Sequence, residues 1–406
     1  MESTKLGLKE NLSQFLLLVL VNAFVGGMVG IERSILPELA LEKWGLEVKT
    51  AILSFIVVFG IVKAFTNYFM GRLANQYGRK KLLVLVWFFA IPVPFLLMYA
   101  QTWNWIILAN VFLGINQGLA WSSTIIMKID LVGSKNRGFA MGVNEAAGYI
   151  AVGLFAYLSS IIADNYGLHP YPFYLSFVLL ILGLLSSIFF IRDTKIHAIL
   201  EEESSSIPRL KHVFKETTFT NPNLSSITIA GLANNLNDGM MWGLLPIILS
   251  VKSDFSLTEI GFLVALYPTV WGFGQLFTGP LSDKYSIKII LVLGMLIQSL
   301  GILMIAFYFS SYQMVFIAAI LLGGGTALVY PTFLAAISNY THPSQRAECI
   351  GVYRLWRDLG YAIGAIVSGI IADYFGLQIA FVVIAIFTII AGVQIKIRMN
   401  TVKVFV

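Results

Sequence analysis

The sequence predicts an all-α membrane protein with twelve transmembrane helices in two pseudo-symmetric six-helix halves. Three observations support this prediction: the composition, the spacing of the apolar segments and an internal repeat. Of the 406 residues, 58% are hydrophobic and only 12% are charged, whereas a soluble domain has about 25% charged residues. A soluble core could not cover so much apolar surface, so lipid must surround most of the chain.

Twelve apolar segments are long enough to cross a membrane, because one crossing takes about 20 residues. The predicted spans lie at 12–38, 48–74, 79–100, 103–131, 136–164, 170–192, 223–250, 256–282, 286–309, 312–340, 344–373 and 377–398. The polar stretch at 193–222 is the only long hydrophilic connection between them. We therefore predict an N-terminal bundle (1–192), a cytoplasmic linker (193–222) and a C-terminal bundle (223–406).

Basic residues predict the orientation of these spans, because cytoplasmic loops carry an excess of Lys and Arg. The loops on one side hold most of them, including the cluster at 79–81, whereas the other side has little beyond Lys43, Lys49 and Lys252. We therefore expect both termini to be cytoplasmic in a multi-pass protein of the cell inner membrane. The net charge of +6 follows from this bias and does not indicate a nucleic-acid partner.

The two halves repeat each other. Segment 161–168 reads Ile-Ile-Ala-Asp-Asn-Tyr-Gly-Leu, and segment 370–377, which begins 209 residues later, reads Ile-Ile-Ala-Asp-Tyr-Phe-Gly-Leu. The same offset aligns Arg137 with Arg346, and an offset one residue shorter aligns Gly71 with Gly279. Such parallel repeats indicate a duplicated six-helix unit, with a binding site near the bilayer midplane where the halves meet.

The loop after the second span carries a family resemblance. Residues 71–81 read Gly-Arg-Leu-Ala-Asn-Gln-Tyr-Gly-Arg-Lys-Lys, and a decayed copy stands at 279–285. The loop resembles the signature of the major facilitator superfamily, Gly-x-Leu-Ala-Asp-x-x-Gly-Arg-Lys. The resemblance implies a secondary transporter whose halves rock between two open states, with the acidic residue of the loop helping to lock the cytoplasmic gate. The predicted gating residues are Gly71, Asn75, Gly78, Arg79, Asp130, Arg137, Gly279, Asp283 and Arg346.

Three positions depart from the family pattern. Asn75 brings no charge where the loop signature has an acidic residue, although Asp283 keeps the charge in the second half. The span-four arginine of the family is replaced by Gly114, and the fifth span lacks the proline of the drug-antiporter subgroup. The last two departures count against a standard drug–proton antiporter.

Charges inside the spans are the main functional signal. Each costs about 2.5–3.5 kcal/mol on insertion scales, so such residues face a cavity or a partner rather than lipid. Basic and aromatic or amide side chains on the predicted inner faces form the substrate-binding set: Arg33, Lys63, Gln117, Trp121, Asn234, Trp271, Tyr330, Arg354 and Arg357. The carboxylates that could carry a coupling proton are Glu32, Glu145, Asp238 and Asp358.

Two other interpretations of these charges stay open. The charges could neutralise one another: Arg354 and Asp358 are four residues apart and could pair along one helical turn, and Glu145 could pair with an arginine across the bundle. Alternatively, the pairs are gates that break and re-form during each cycle.

We predict a transporter of a small polar or anionic organic solute, driven by a proton gradient. The alternative is a proton-antiport efflux pump for drugs or hydrophobic metabolites. No catalytic constellation and no phosphate-binding loop is present in the sequence, so we predict no enzymatic activity, cofactor or metal. The expected partners are the solute, protons and the lipid bilayer, with no nucleic acid, and the expected state is a monomer.

Overall fold

The structure is a computed structural model that describes residues 7–132, 137–199, 209–252, 255–279, 281 and 285–400. Twelve long helices confirm the predicted fold class, and the described residues contain no strand. The N-terminal half comprises α1 (Leu12–Arg33, continued by Leu36–Trp44), α2 (Ser54–Tyr77, preceded by the short helix Lys49–Ile52), α3 (Arg79–Ala90, continued by Pro92–Met98), α4 (Trp103–Val132), α5 (Arg137–Tyr166) and α6 (Tyr174–Phe189). The C-terminal half comprises α7 (Pro222–Lys252), α8 (Leu257–Thr278), α9 (Ile287–Tyr308), α10 (Tyr312–Tyr340), α11 (Pro343–Phe375) and α12 (Leu377–Arg398).

Ten of these helices are long and apolar enough to cross a membrane by length and composition. In α2 the apolar stretch is shorter, at Ser54–Met70. The helix α7 carries four buried polar residues in its middle, Asn234, Asn235, Asn237 and Asp238. Both helices therefore turn polar side chains into the bundle, which lowers their apolar content without exposing charge to lipid.

Each half packs through equivalent close contacts between its first and fifth helices. A Cβ added at Gly30 of α1 would overlap the carbonyl oxygen of Val152 on α5. At the repeat-related position Gly239 of α7, a Cβ would overlap the carbonyl oxygen of Tyr361 on α11. The two glycines occupy equivalent positions of the repeat because both halves need this close backbone approach.

We expect Gly239→Val to destabilise the protein strongly, because the clashing atom belongs to backbone and cannot move aside as a side chain can. Overpacking of this kind costs about 1–3 kcal/mol or more. The melting temperature of purified protein would show the loss. The matched control is Gly324→Ala on α10, where a Cβ meets nothing within 4 Å; it should leave the melting temperature unchanged or raise it. Equal melting temperatures for both variants would contradict the role of Gly239.

The two ends of the bundle can be distinguished by the chain path. The start of α1 lies beside the end of α6, since Gln14 Nε2 donates to the Phe190 carbonyl at 2.9 Å. The end of α12 lies beside the start of α7, since the Asn400 backbone N–H donates to Asn223 Oδ1 at 2.8 Å. We call this end the terminal face, and the end where α1 finishes and α2 begins the opposite face.

Two helix pairs form most of the contact between the halves in the described structure: α2 with α11, and α5 with α8. Most of the intramembrane charges lie along these two seams and on the adjoining faces of α1, α4 and α7. The seams therefore place the polar residues of both halves around one central axis.

Candidate functional site

The centre of the molecule holds a buried carboxylate between cations of both halves. Asp358 of α11 is fully buried. Its Oδ1 accepts hydrogen bonds from Arg357 Nε at 2.9 Å and Nη2 at 2.5 Å. Lys63 of α2, in the other half, lies 3.7 Å from the same oxygen. One carboxylate thus faces two cations, so this cluster retains positive charge.

Arg354 extends this network into the N-terminal half. Its Nη1 donates to the Ser122 hydroxyl of α4, and Ser122 in turn donates to Asn67 of α2. Asn67 Nδ2 donates to Asp358 Oδ2 at 2.6 Å. The Arg354 Nε has no acceptor among the described residues. The chain of hydrogen bonds therefore links three helices of two halves and leaves one guanidinium donor free.

Aromatic side chains form the wall beside these cations. The rings of Tyr149 and Trp271 stack with centroids 3.5 Å apart, and Trp121 and Tyr330 lie 5.0 Å and 5.9 Å from Tyr149. Arg357 donates to the Tyr330 hydroxyl and lies 5.0 Å from the centre of that ring. The wall is drawn from α4, α5, α8 and α10, so it too is shared by both halves.

A small cavity of about 10 Å³, the room that one water molecule needs, lies between the cations and this wall. Its lining residues come from α2, α4, α5, α10 and α11: Lys63, Asn67, Trp121, Ser122, Tyr149, Tyr330, Arg354 and Arg357. Three of the eight are cations and none is a carboxylate. The surface that a bound molecule would meet is therefore positive and aromatic.

Glu145 of α5 lies behind the aromatic wall. Its Oε1 accepts from Trp121 Nε1 at 2.8 Å and from Asn144 Nδ2 at 3.3 Å, while Oε2 has no partner within the described ranges. Asn144 also accepts from Lys128 Nζ at 2.5 Å. Because Trp121 lines the cavity, a change of charge on Glu145 would reach the cavity through one hydrogen bond.

A second buried group lies apart from the cavity lining. The guanidinium of Arg33 sits over the rings of Phe59 and Trp242, at 4.6 Å from each centroid, and none of its nitrogens has an acceptor in the described part of the chain. Its neighbour Glu32 points elsewhere and accepts from Asn110 of α4 at 2.8 Å. The two side chains diverge because successive helical residues point about 100° apart.

Asp238 of α7, in the C-terminal half of the protein, is another buried charge away from the cavity. Its Oδ1 accepts a hydrogen bond from the Tyr267 hydroxyl of α8, and its Oδ2 has no hydrogen-bond partner among the described residues. Asp238 and Glu32 are both fully buried. Neither lines the central cavity.

The predicted substrate-binding residues separate into two sets. The structure brings together Lys63, Trp121, Tyr330, Arg354 and Arg357 on the cavity, with Trp271 stacked directly behind Tyr149. Three others are buried but do not line the cavity: Arg33, Gln117 and Asn234. Asn234 donates instead to Asn235, its neighbour on α7, at 3.2 Å.

The cavity also contains residues absent from the predicted set. Asn67 lies one turn from Lys63, Tyr149 lies one turn from Glu145, and Ser122 follows Trp121 directly. The sequence could have indicated these three residues only through their positions beside predicted ones on the same helices. The pairing of the charges also differs from the simplest expectation: Asp358 contacts Arg357 and Lys63, whereas Arg354 reaches Ser122. Glu145 meets Trp121 and not an arginine.

The structure describes the side chains of only some of the predicted gating residues. Gly71, Asn75, Arg137, Asp283 and Arg346 lie outside the positions whose side chains the structure describes.

The described gating residues of the N-terminal half lie at the terminal face. Arg79 Nε donates to Asp130 Oδ2 at 3.1 Å, and the Thr194 hydroxyl donates to the same oxygen at 2.8 Å. Gly78 precedes α3 with a φ of 87°, and in the other half Gly279 follows the last residue of α8. The Arg79–Asp130 pair joins α3 to α4, so it holds the N-terminal half together and does not bridge the halves.

Comparisons with known proteins agree with this architecture. The family model described as Major Facilitator Superfamily matches residues 16–227 and 227–402. An uncharacterized MFS-type transporter, MJ1560, from Methanocaldococcus jannaschii is 24% identical over 84% of this chain and 87% of its own length. Multidrug resistance protein MdtG from Salmonella schwarzengrund is 25% identical over 84% of this chain and 81% of its own.

Two further similarities cover a shorter region or the fold alone. The hexuronate transporter of Bacillus subtilis is 30% identical over 42% of this chain and 40% of its own length. A POT family transporter solved with 5-aminolevulinic acid superposes with a TM-score of 0.75 at 15% identity, over 94% of this chain and 95% of that one. The family match spans nearly the whole chain, and its two segments correspond to the two six-helix halves around the cavity: the protein belongs to the Major Facilitator Superfamily of membrane transporters.

Proposed function

We propose that this protein carries a small organic anion across the membrane together with a proton, by alternating access of the central cavity to the two faces. The observation that carries the proposal is the convergence of Lys63, Arg354 and Arg357 on one enclosed cavity. Arginine binds carboxylate and phosphate groups through paired N–H donors, and a buried cation favours an anionic partner.

The geometry favours one negatively charged group on the solute. Arg357 is already satisfied by Asp358 and Tyr330, whereas Arg354 keeps its Nε free and Lys63 has Asp358 only at 3.7 Å. When the cavity widens towards one face, a carboxylate between these two residues would accept a hydrogen bond from the Arg354 Nε and pair with the Lys63 ammonium. The stacked rings of Tyr149 and Trp271 would then contact the apolar or planar part of the solute.

Glu145 is the best-placed proton carrier. Protonating it would remove one negative charge next to Trp121 and make the cavity more positive. A proton and an anion would therefore bind with positive cooperativity, and by linkage each would raise the affinity for the other. Such coupling produces symport, in which both move in the same direction. Asp238 is a second candidate, because it is buried with one oxygen unpaired in the described structure.

We also propose that the terminal face is cytoplasmic, that the protein resides in the cell inner membrane, and that it acts as a monomer. The support is the excess of Lys and Arg in the loops of the terminal face, including the cluster at 79–81, together with the tendency of cytoplasmic loops to be basic.

Efflux of drugs or hydrophobic metabolites by proton antiport is the alternative. The aromatic wall could hold an apolar ring, and one relative that matches most of the chain is named a multidrug resistance protein. The three cavity cations oppose this alternative for cationic drugs, because like charges repel in a desolvated site. The relative named for hexuronate, whose match covers less than half of the chain, favours an anion.

A thermal-stabilisation screen distinguishes the two proposals. Purified full-length protein would be heated with carboxylates, phosphorylated solutes, neutral sugars and cationic drugs in turn. We expect stabilisation by one or more organic anions, and expect Lys63→Gln to abolish it. Arg192→Gln removes one exposed cation elsewhere and should leave it intact. Stabilisation by cationic drugs alone would overturn the anion proposal.

A further inference from the structure

The duplicated Ile-Ile-Ala-Asp-x-x-Gly-Leu segment ends a helix at the opposite face in each half. Asp164 lies near the end of α5, and Asp373 lies near the end of α11. Both side chains are exposed, so neither belongs to the core or to the central cavity. Gly167 and Gly376 follow with φ values of 97° and 92°, which glycine adopts readily, and they end the helices at equivalent positions.

Each aspartate reaches across to the other half of the protein. Asp373 of the C-terminal half accepts three hydrogen bonds: from the backbone N–H of Lys49 at 2.6 Å, the backbone N–H of Thr50 at 3.0 Å and the Thr50 hydroxyl at 2.7 Å. Asp164 of the N-terminal half accepts from the Thr258 hydroxyl at the start of α8, at 2.6 Å. Thr50 and Thr258 are 208 residues apart, which is the offset that also aligns Gly71 with Gly279.

We propose that Asp164–Thr258 and Asp373–Thr50 are two symmetry-related latches that hold the opposite face closed and are released when that face opens. Each pair joins the end of one half's helix to the start of a helix in the other half. Rocking the halves apart at this face must therefore break both pairs. The same rocking would leave bonds within each half, such as Arg79–Asp130, intact.

Packing along the seams supports closure at this face. A Cβ added at Gly261 of α8 would overlap the Ser160 side chain of α5, and one at Gly369 of α11 would lie 3.0 Å from Thr50 Cα. At the terminal-face ends of the same seams, a Cβ at Gly142 or Gly351 would lie 3.6 Å or 3.7 Å from its nearest neighbour across the seam, an ordinary contact. The halves are thus packed more tightly where the latches lie.

The two latches are equivalent in position but unequal in bonding. The helix α8 caps itself, because Ser256 and Glu259 form a reciprocal capping box and leave only the Thr258 hydroxyl to bond Asp164. The short helix Lys49–Ile52 has Val48 at its N-cap, which has no polar side chain, and the described residues of its own half provide no side-chain cap. Asp373 supplies that cap from the other half.

Because the two latches differ in bonding, loss of Asp373 should open the opposite face more than loss of Asp164. Removing Asp373 breaks three hydrogen bonds and uncaps a helix, whereas removing Asp164 breaks one. Both latches are exposed to water, so each contributes modestly and can be broken in every cycle. We expect Asp373→Ala to raise the ratio of opposite-face-open to closed molecules about fivefold or more, and Asp164→Ala to raise it about twofold.

Spin-label distances in membrane nanodiscs measure this ratio without knowledge of the substrate. One label pair, at Gln101 and Gln313, spans the halves at the opposite face, and a second, at Arg192 and Arg398, spans the terminal face; all four positions are exposed. The buried Cys349 would be replaced by Ser. The expected result is a longer-distance population at the opposite face in Asp373→Ala, smaller in Asp164→Ala, and additive in the double variant.

Glu47→Gln is the matched control, because it removes an exposed carboxylate close to Thr50 that makes no hydrogen bond to the other half in the described structure. It should reproduce the unaltered distance distribution. Thr50→Val and Thr258→Val remove the partner hydroxyls, so they test the latches even if an aspartate variant fails to fold. The proposal is overturned if the four latch variants leave the distances unchanged, or if Glu47→Gln shifts them as much as Asp373→Ala does.

Discussion

Arg357→Gln is expected to weaken anion binding in the central cavity strongly, because Arg357 is one of the three cations that line it. Arg357 bonds Asp358 through two nitrogens, and its ring contact with Tyr330 fixes its position against the aromatic wall. The substitution removes one of the three positive charges that line the cavity, and loss of a charge that faces a bound ion in a buried site costs about 2–5 kcal/mol of binding free energy. We therefore expect the Kd of the anion identified by the stabilisation screen to rise at least about 30-fold. Isothermal titration calorimetry on purified protein would measure it.

The same substitution leaves the buried Asp358 carboxylate with Lys63 as its remaining cation, so a loss of binding could also follow from a loss of folding. The double variant Arg357→Gln/Asp358→Asn separates these causes, because it removes the carboxylate together with its main cation. We expect the double variant to regain the melting temperature of the unaltered protein but not the affinity. Recovery of both would show that Arg357 serves only to neutralise Asp358, which was one of the alternatives that the sequence left open.

Glu145→Gln is expected to uncouple transport from the proton gradient. Glutamine resembles the protonated carboxyl group in shape and charge. Position 145 would therefore stay neutral at every pH, as if the coupling proton were always bound. In liposomes containing the variant, an inward proton gradient should no longer concentrate the anion, and accumulation should fall about tenfold or more because the coupling between proton and anion is lost. Exchange of labelled for unlabelled anion should continue, because it needs no net proton movement.

The pH dependence of anion binding tests whether Glu145 is the proton carrier. In the unaltered protein, we expect anion binding to tighten as the pH falls, because binding of the coupling proton makes the cavity more positive. In Glu145→Gln, the affinity should be tight and independent of pH over the same range. Asp238→Asn is the comparison variant, since Asp238 is buried beside Tyr267 and away from the cavity lining. If Asp238→Asn uncouples anion transport from the proton gradient while Glu145→Gln remains coupled, Glu145 is not the proton carrier.

Hydropathy and the repeat predicted the helices and their grouping well, because both can be read directly from the order of residues in the chain. The predicted spans match the observed helices to within a few residues over most of the chain, for example 103–131 against Trp103–Val132. Their positions within predicted spans also indicated that Lys63, Arg354 and Arg357 face the interior, since charges avoid lipid, and all three are buried.

The arrangement within the site was not predictable from one helix at a time. Helical spacing places Arg354 and Asp358 one turn apart, yet Asp358 turns to Arg357 and to Lys63 of the other half, because Ser122 and Asn67 engage Arg354 and the second carboxylate oxygen. Arg33 was expected at the cavity, but its helix directs it between Phe59 and Trp242. These outcomes depend on which helices of the two halves meet, which a single sequence does not specify.

A ligand-bound structure tests the central claim of an anion-selective cavity most directly. The protein would be imaged with the solute that stabilises it most in the screen. We predict that the solute's anionic group lies within hydrogen-bonding distance of Arg354 and Lys63, with its remaining atoms against Tyr149 and Tyr330. A solute bound outside this cavity, or a cationic group held against Glu145 or Asp358, would contradict the account.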